Sequence, residues 1–255
     1  MSRRDKEKRG KSDRSWIKHG MAAKVVGAQV GAFRYRFRGA RIILIDGNAG
    51  DGYGVELQQF DLFGIHTSKP TPRILADLAD EHDCTLCLCE ARQKKRVLLR
   101  EQFPQAIITA THREAALLAI GGAYDYALWL SDPCGYAGHG VEHMSTIAIP
   151  MCGKVQRIMR SDFVIIFNEQ AIHRVIGASH SPYWYPHQKY APMLEPAWWL
   201  QQLSKRFLAR TPVIKQSPGF HFRMMVVSDF LTDGVTRLRG VEIIPRSESK
   251  GAING

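Results

Sequence analysis

Asp46-Gly47-Asn48-Ala49-Gly50-Asp51-Gly52 places an acid and three glycines directly after an apolar run, Arg41-Ile42-Ile43-Leu44-Ile45. Glycines at such a junction permit a tight strand-to-helix turn and a close approach by a ligand's backbone or sugar. The spacing is G-x-x-G-x-G rather than G-x-G-x-x-G, and no G-K-[ST] follows. This disfavours a Walker A phosphate loop and, less firmly, a dinucleotide fingerprint. A leading acid suits a different ligand, S-adenosylmethionine (SAM), whose sulfonium and ammonium are positive where a pyrophosphate is negative. Asp46, Gly47, Asn48 and Gly50 are therefore candidate cofactor-binding residues.

Glu90 follows a second apolar run, 44 residues on from Asp46. An acid at a strand's carboxyl end can accept hydrogen bonds from ribose hydroxyls, and compact dinucleotide folds place it only about 20 residues on. The intervening 53–67 stretch must then be a long loop or an extra element. Thr111 and His112 follow a third run, where a cofactor's base would reach the strand ends. A fourth run, Tyr126-Ala127-Leu128-Trp129-Leu130, leads into Ser131-Asp132-Pro133-Cys134-Gly135-Tyr136. Asp132 would face the same crevice, and the Pro133 carbonyl can accept from an exocyclic amine. Methyl transfer to an amino nitrogen needs acceptors that orient the lone pair and an aromatic face for the base. Asp132, Pro133 and Tyr136 are the candidate catalytic set, with Asp132 also near the cofactor. A base within a duplex would have to be flipped out first. Read more plainly, Asp132-Pro133 only ends a strand in a turn.

The elements that would position these residues alternate in the sequence. Strands are expected at 41–45, 84–89, 106–110, 126–130 and 163–167, with later strands at 222–228 and 241–244. Helices are expected over 71–81, 92–102, 114–120, somewhere within 140–159, and over 198–208. Continuous apolar strands alternating with helices predict an α/β fold, a Rossmann-like, mostly parallel sheet with helices on both faces. No internal repeat is present. The organisation expected is a basic N-terminal arm over 1–20 and one domain over 21–255, with a proline- and aromatic-rich insertion at 181–199. Its Tyr183, Trp184, Tyr185 and Tyr190 lie among His187 and Lys189. They suit base stacking, or equally a loop packed on its own domain.

The 35 Lys+Arg and 24 Asp+Glu of the 255 residues give a net charge of +11, which attracts polyanions, nucleic acid above all. Hydrophobic content of 45% excludes a wholly disordered chain. The arm carries Arg3, Arg4, Lys6, Lys8, Arg9, Lys11, Arg14 and Lys18, fit to lie along phosphates or merely to solubilise. No apolar h-region follows it and no run could span a membrane, so a cytoplasmic protein is expected. The five cysteines are odd in number and fit reduced thiols. Cys87 and Cys89 alternate with Leu86 and Leu88 as in a buried strand, not a metal-ligand set, so no metal is expected.

Asp46-Gly47-Asn48-Ala49-Gly50-Asp51-Gly52, followed by His66-Thr67-Ser68-Lys69-Pro70, resembles the opening of the three-Cys-motif partner proteins, with their D-x-F-A-G-x-G loop and G-S-P-like helix start. Leu130-Ser131-Asp132-Pro133-Cys134-Gly135-Tyr136 is similar to that family's D-P-F-G segment. Ile165-Ile166-Phe167-Asn168, with Arg174 beyond, resembles its fifth strand. The likeness runs from about Lys18 to Arg174. It implies a Rossmann-like SAM-dependent methyltransferase domain, related in pattern to D-P-P-Y amino-methyltransferases of nucleic acid. By that resemblance Asp46, Gly47 and Gly50 bind SAM, Glu90 its ribose, and Asp132, Pro133 and Tyr136 the target amine. The sequence departs from the pattern at Asn48, where the family has an aromatic, and at Cys134-Gly135, which delays Tyr136 by one residue.

The function expected is SAM-dependent methyl transfer to adenine N6 or cytosine N4 of DNA or RNA. One alternative is a non-catalytic nucleic-acid-binding protein that keeps the fold. Another is a cytosine-C5 methyltransferase in which the Cys134 thiolate attacks the ring, although Cys134 can also be read as a small residue filling a turn.

Overall fold

The computed structural model describes residues 15–52, 57–61, 64–132, 141–148, 160–168, 211–216, 222–228 and 241–243. The elements, in chain order, are α1 (Ser15–Arg36), β1 (Ile42–Asp46), β2 (Leu57–Asp61), β3 (Gly64–Ser68), α2 (Thr71–His82), β4 (Thr85–Cys89), α3 (Gln93–Gln102), β5 (Ile107–Thr109), α4 (His112–Gly121), β6 (Tyr126–Ser131), α5 (Val141–Ala148), β7 (Arg160–Asn168), β8 (Thr211–Gln216), β9 (Phe222–Ser228) and β10 (Val241–Ile243).

One eight-stranded sheet runs β10-β8-β9-β7-β6-β1-β4-β5, and β2 and β3 form a separate antiparallel pair. The pairs β1–β4, β1–β6, β4–β5 and β6–β7 are parallel. β9 runs antiparallel between β7 and β8, and β10 is antiparallel to β8. The expected α/β class is thus observed in the sheet itself. Every residue of β1 and β6 is buried, as continuous apolar strands covered on both faces must be.

The pleat divides the core in two. On one face Ile42, Leu44, Leu86, Leu88, Leu128 and Leu130 meet α1, α2 and α3. On the other, Ile43, Ile45, Cys87, Cys89, Ala127 and Trp129 meet α4 and α5. Burial pushes the Cys87 thiol up to about 12 and the Cys89 thiol to about 11, so both behave as small hydrophobes.

α1 presents Ala22, Val25, Val26, Gln29, Val30 and Phe33 to this core at helical spacing. A buried polar cluster pins it to the sheet. Gln29 Nε2 donates to Asp162 Oδ2 (2.9 Å) and Ser228 Oγ (3.1 Å), and the Tyr126 hydroxyl donates to the same Asp162 oxygen. Residues 15–20 of the expected arm are the first turns of this helix, and 1–14 lie outside the described residues. The stretch expected as a long loop or extra element contains the β2–β3 hairpin, which accounts for the long separation of Glu90 from Asp46. The aromatic insertion and the helix expected over 198–208 lie outside the described residues. Among those residues, no helix is long and apolar enough to cross a membrane.

Candidate functional site

The chain leaves β1 for β4 and β5 on one side of the sheet and returns to β6 and β7 on the other. The crevice between β1 and β6, at their carboxyl ends, is therefore the topological switch point, where open α/β sheets bind ligands. The glycine loop lies there. It is stitched to both neighbouring strands, because Gly47 N–H donates to Leu130 O (2.8 Å) and Ala49 N–H to Cys89 O (3.0 Å). The fully buried Asp46 accepts Asn48 N–H on Oδ1 (2.9 Å), closing an Asx turn that shapes the loop. The Ser131 hydroxyl donates to Asn48 Oδ1 (3.3 Å), joining the loop to the end of β6.

Each glycine has its own physical reason. A Cβ at Gly47 would lie 2.5 Å from Trp129 Nε1 and 3.1 Å from its Cε2, so the fully buried indole excludes any side chain there. Gly50 has φ +68° with nothing within 4 Å of a built Cβ, an open face on a left-handed turn. Gly52, at φ +71°, is packed under Phe103 and Leu99.

Glu90 directly follows β4. Its Oε1 accepts Arg92 N–H (2.8 Å), which anchors the chain as it enters α3. Among the described residues its other carboxylate oxygen has no hydrogen-bond partner. Arg96 turns back to donate to the Glu90 carbonyl at 3.0 Å, while Lys95 pairs with Asp51 at 3.2 Å. Thr111 is the N-cap of α4, its Oγ1 accepting Glu114 N–H (3.1 Å), and Glu114 accepts Ala110 N–H in return. Its hydroxyl is thereby engaged in starting the helix.

His112 opens α4, and its Nε2 lies 2.6 Å from Gly47 O. A carbonyl only accepts, so this assigns the proton to Nε2. Burial pulls the imidazole below its ordinary 6.5, against the opposing influence of the Gly47 bond, and so favours its neutral form. His112 therefore braces the glycine loop. Its ring also lies 5.8 Å from that of Trp129 and 6.3 Å from that of His143 on α5. Among the described residues, the buried Trp129 Nε1 has no acceptor.

Asp46, Gly47, Asn48, Gly50, Glu90, Thr111, His112 and Asp132 all come to this one edge, Asp132 partly buried just beyond β6. Pro133, Cys134 and Tyr136 lie outside the described residues. Sequence reasoning missed Trp129 and His143. A tryptophan between Leu128 and Leu130 in an apolar strand was the available signal, since a buried indole N–H ordinarily finds a partner. A cavity of about 410 Å³ lies elsewhere, around Arg73, Asp80, Cys84 and Phe103, and none of the expected site residues lines it.

The donor set has a clear electrical character. Asp46, Glu90 and Asp132 end three adjacent strands, and a β-hairpin rather than a helix follows the glycine loop. The expected strand-to-helix turn is thus not what the described residues show: among them the loop has no helix N-terminus after it, with the aligned N–H groups that a pyrophosphate site uses. Glu90 and Asp132, partly buried at the ends of the strands beside β1, with the fully buried Asp46 shaping the loop, suit a ligand that carries positive charge and hydroxyls.

No family model matches the chain, and no curated protein matches it. Among solved structures it is similar to the plantazolicin methyltransferase BpumL in complex with a pentazolic desmethylPZN analogue and SAH. That likeness has 12% identity over 88% of this chain and 90% of the other, with a TM-score of 0.48. It is also similar to a SAM-dependent methyltransferase from Archaeoglobus fulgidus (10% identity, 85% and 100% covered, TM-score 0.39). A third is the TehB-like SAM-dependent methyltransferase from Corynebacterium glutamicum (12% identity, 84% and 94% covered, TM-score 0.34). These likenesses concern the arrangement of the sheet and carry over neither site residues nor a substrate.

Proposed function

We propose that the protein is a SAM-dependent methyltransferase acting on nucleic acid, at an exocyclic amine of adenine or cytosine. The observation that carries the cofactor reading is the acid-bearing switch point: Glu90 and Asp132 at the ends of the strands beside β1, and Asp46 buried within a glycine loop whose next described element is a β-hairpin. SAM supplies an electrophilic methyl group on a cationic sulfonium. The Asp46–Gly50 loop would hold its amino-acid end, and Glu90, through the carboxylate oxygen left over from Arg92, its ribose hydroxyls. Thr111 and His112 serve that site indirectly, one by starting α4 and the other by fixing the Gly47 carbonyl. Asp132 would accept a hydrogen bond from the target amine and orient its lone pair. Most of the rate would then come from positioning.

The nucleic-acid reading rests on the net charge of +11 and on exposed Arg92, Lys94 and Arg100 along α3, beside Glu90. The neighbours named for plantazolicin act on that compound, so the substrate class is this chain's own reading. Incubation with methyl-labelled SAM and mixed DNA and RNA, followed by mass spectrometry of the nucleosides, tests it directly. A methylated adenosine or cytidine made by the wild type and lost in Asp132→Ala is the expected result. Undiminished incorporation in Asp132→Ala would refute the role of that carboxylate, and a 5-methylcytosine product would favour the Cys134 chemistry instead.

A further inference from the structure

The opposite end of the sheet carries a second concentration of chemistry. Arg34-Tyr35-Arg36-Phe37-Arg38-Gly39-Ala40-Arg41 holds four arginines and two aromatics in eight residues, and it joins α1 to the start of β1. Arg160 begins β7, in register with Tyr126 at the start of β6. Backbone hydrogen bonds from Asp125 N to Arg41 O (2.8 Å) and from Arg160 N to Asp125 O (3.0 Å) hold these amino ends together. The five residues of β1 separate them from the glycine loop, about 17 Å at strand rise.

Within this cluster one arginine is structural. Arg34 donates to the carbonyls of His82 (3.0 Å) and Ala40 (2.6 Å) and to that of Asp83, tying the end of α1 to the end of α2. The helix dipole and these caps account for Arg34. They do not account for the rest. Arg36, Arg38, Arg41 and Arg160 are exposed, and among the described residues Arg38, Arg41 and Arg160 form no ion pair. Arg36 and Arg160 lie over the Phe37 ring at 5.7 and 5.0 Å. Phe33 and Tyr126, stacked at 4.2 Å, form a rigid floor beneath, with Phe37 4.8 Å from Phe33. On the side of α1 turned away from Phe33 and Phe37, Tyr35 is 80% exposed, a large aromatic face that packing does not explain.

Exposed guanidinium groups and an exposed aromatic carried on one short segment match single-stranded nucleic acid, whose phosphates take the charge while an unstacked base takes the ring. We infer that this amino-end patch is a docking surface for single-stranded nucleic acid, separate from the crevice at the carboxyl end. Tyr35 stacks on a base, and Arg36, Arg38, Arg41 and Arg160 contact the flanking phosphates. It extends the nucleic-acid reading of the proposed function, but binding here needs no cofactor and no methyl transfer, so the two readings can fail separately.

Fluorescence anisotropy of a labelled single strand of about 20 nucleotides, without SAM and across a salt titration, tests it. Tyr35→Ala should weaken binding about 5- to 100-fold, and Tyr35→Phe, which keeps the ring, should restore it. Arg38→Ala with Arg41→Ala should lower the salt slope by about 1.4, roughly 0.7 for each phosphate no longer neutralised. These side chains are exposed, so matching thermal melts will exclude misfolding. Wild-type affinity and slope in both the Tyr35→Ala and the arginine variants would overturn the inference. So would binding to vesicles of equal parts phosphatidylserine and phosphatidylcholine with none to the oligonucleotide.

Discussion

Substituting Gly47 by alanine tests whether the candidate site is built as described. The new Cβ would lie 2.5 Å from Trp129 Nε1, 3.1 Å from its Cε2 and 3.4 Å from Leu130 O. Trp129 is 1% exposed among Ile43, Ile45 and Met144, so the indole has nowhere to retreat and the loop must move. Overpacking of this kind costs about 1–3 kcal/mol. Moving the loop also stretches Gly47 N–H to Leu130 O and His112 Nε2 to Gly47 O, each bond contributing about 0.5–1.5 kcal/mol. A loss of about 2–6 kcal/mol is expected, read as a lower urea midpoint at unchanged slope. Trp129→Phe removes the clashing edge of the indole, so the double variant should recover at least about 1 kcal/mol relative to the sum of the singles. Gly50→Ala behaves differently. Its cost, about 1–2 kcal/mol from the left-handed backbone alone, should be indifferent to Trp129→Phe. A Gly47→Ala protein within about 0.5 kcal/mol of wild type, or strict additivity with Trp129→Phe, would refute the packing argument.

Two further outcomes follow from the same edge. Glu90→Gln keeps an oxygen for Arg92 N–H but loses the charge, so SAM binding by calorimetry should weaken about 10- to 150-fold with little change in the unfolding midpoint; a midpoint loss with unaltered SAM affinity would make Glu90 a helix anchor only. His112 is held below its ordinary 6.5 by burial, so the unfolded chain takes up this proton first. Its contribution to stability is therefore complete above about pH 6.5 and fades as pH falls through the lower folded value, and a His112→Ala variant should show a flatter decline in Tm on acidification; an identical decline would place that titration elsewhere.

The parts of the fold legible in the sequence are those in which local pattern and burial agree. β1, β4 and β6 are unbroken apolar runs because helices cover both faces, and α2 is marked by Pro70 and Pro72 at its start. The strand expected at 222–228 has the observed bounds. α1 escapes a sequence reading because Gly20, Gly27 and Gly31 depress its helix propensity. Tertiary contact compensates: a Cβ at Gly27 would lie 3.2 Å from Leu78 Cδ2, so the lack of a side chain lets α1 seat against α2. β8 escapes it because Pro212 withholds a ladder donor and argues against a strand. β2 and β3 are indistinct from loop because their Leu57–Asp61 and Gly64–Ser68 runs are short and largely polar.

At the site, the eight described candidates are legible one by one because chemistry-bearing residues after apolar runs collect at strand ends. Their mutual arrangement is not. Trp129 meets Gly47 only through the β1–β6 register, which pairs Ile45 with Trp129 and Asp46 with Leu130, and single-sequence periodicity carries no register. The consequence alters how the loop is understood. Taken as sequence, its three glycines share one explanation, a tight turn that a ligand can approach closely. In the structure Gly47 is required by the indole, and Gly52 by its positive φ and by Phe103, Gln102 and Leu99. Gly50 alone combines a left-handed backbone with empty space above it. Ligand access is therefore a property of Gly50, while Gly47 and Gly52 hold the loop in the shape that exposes it.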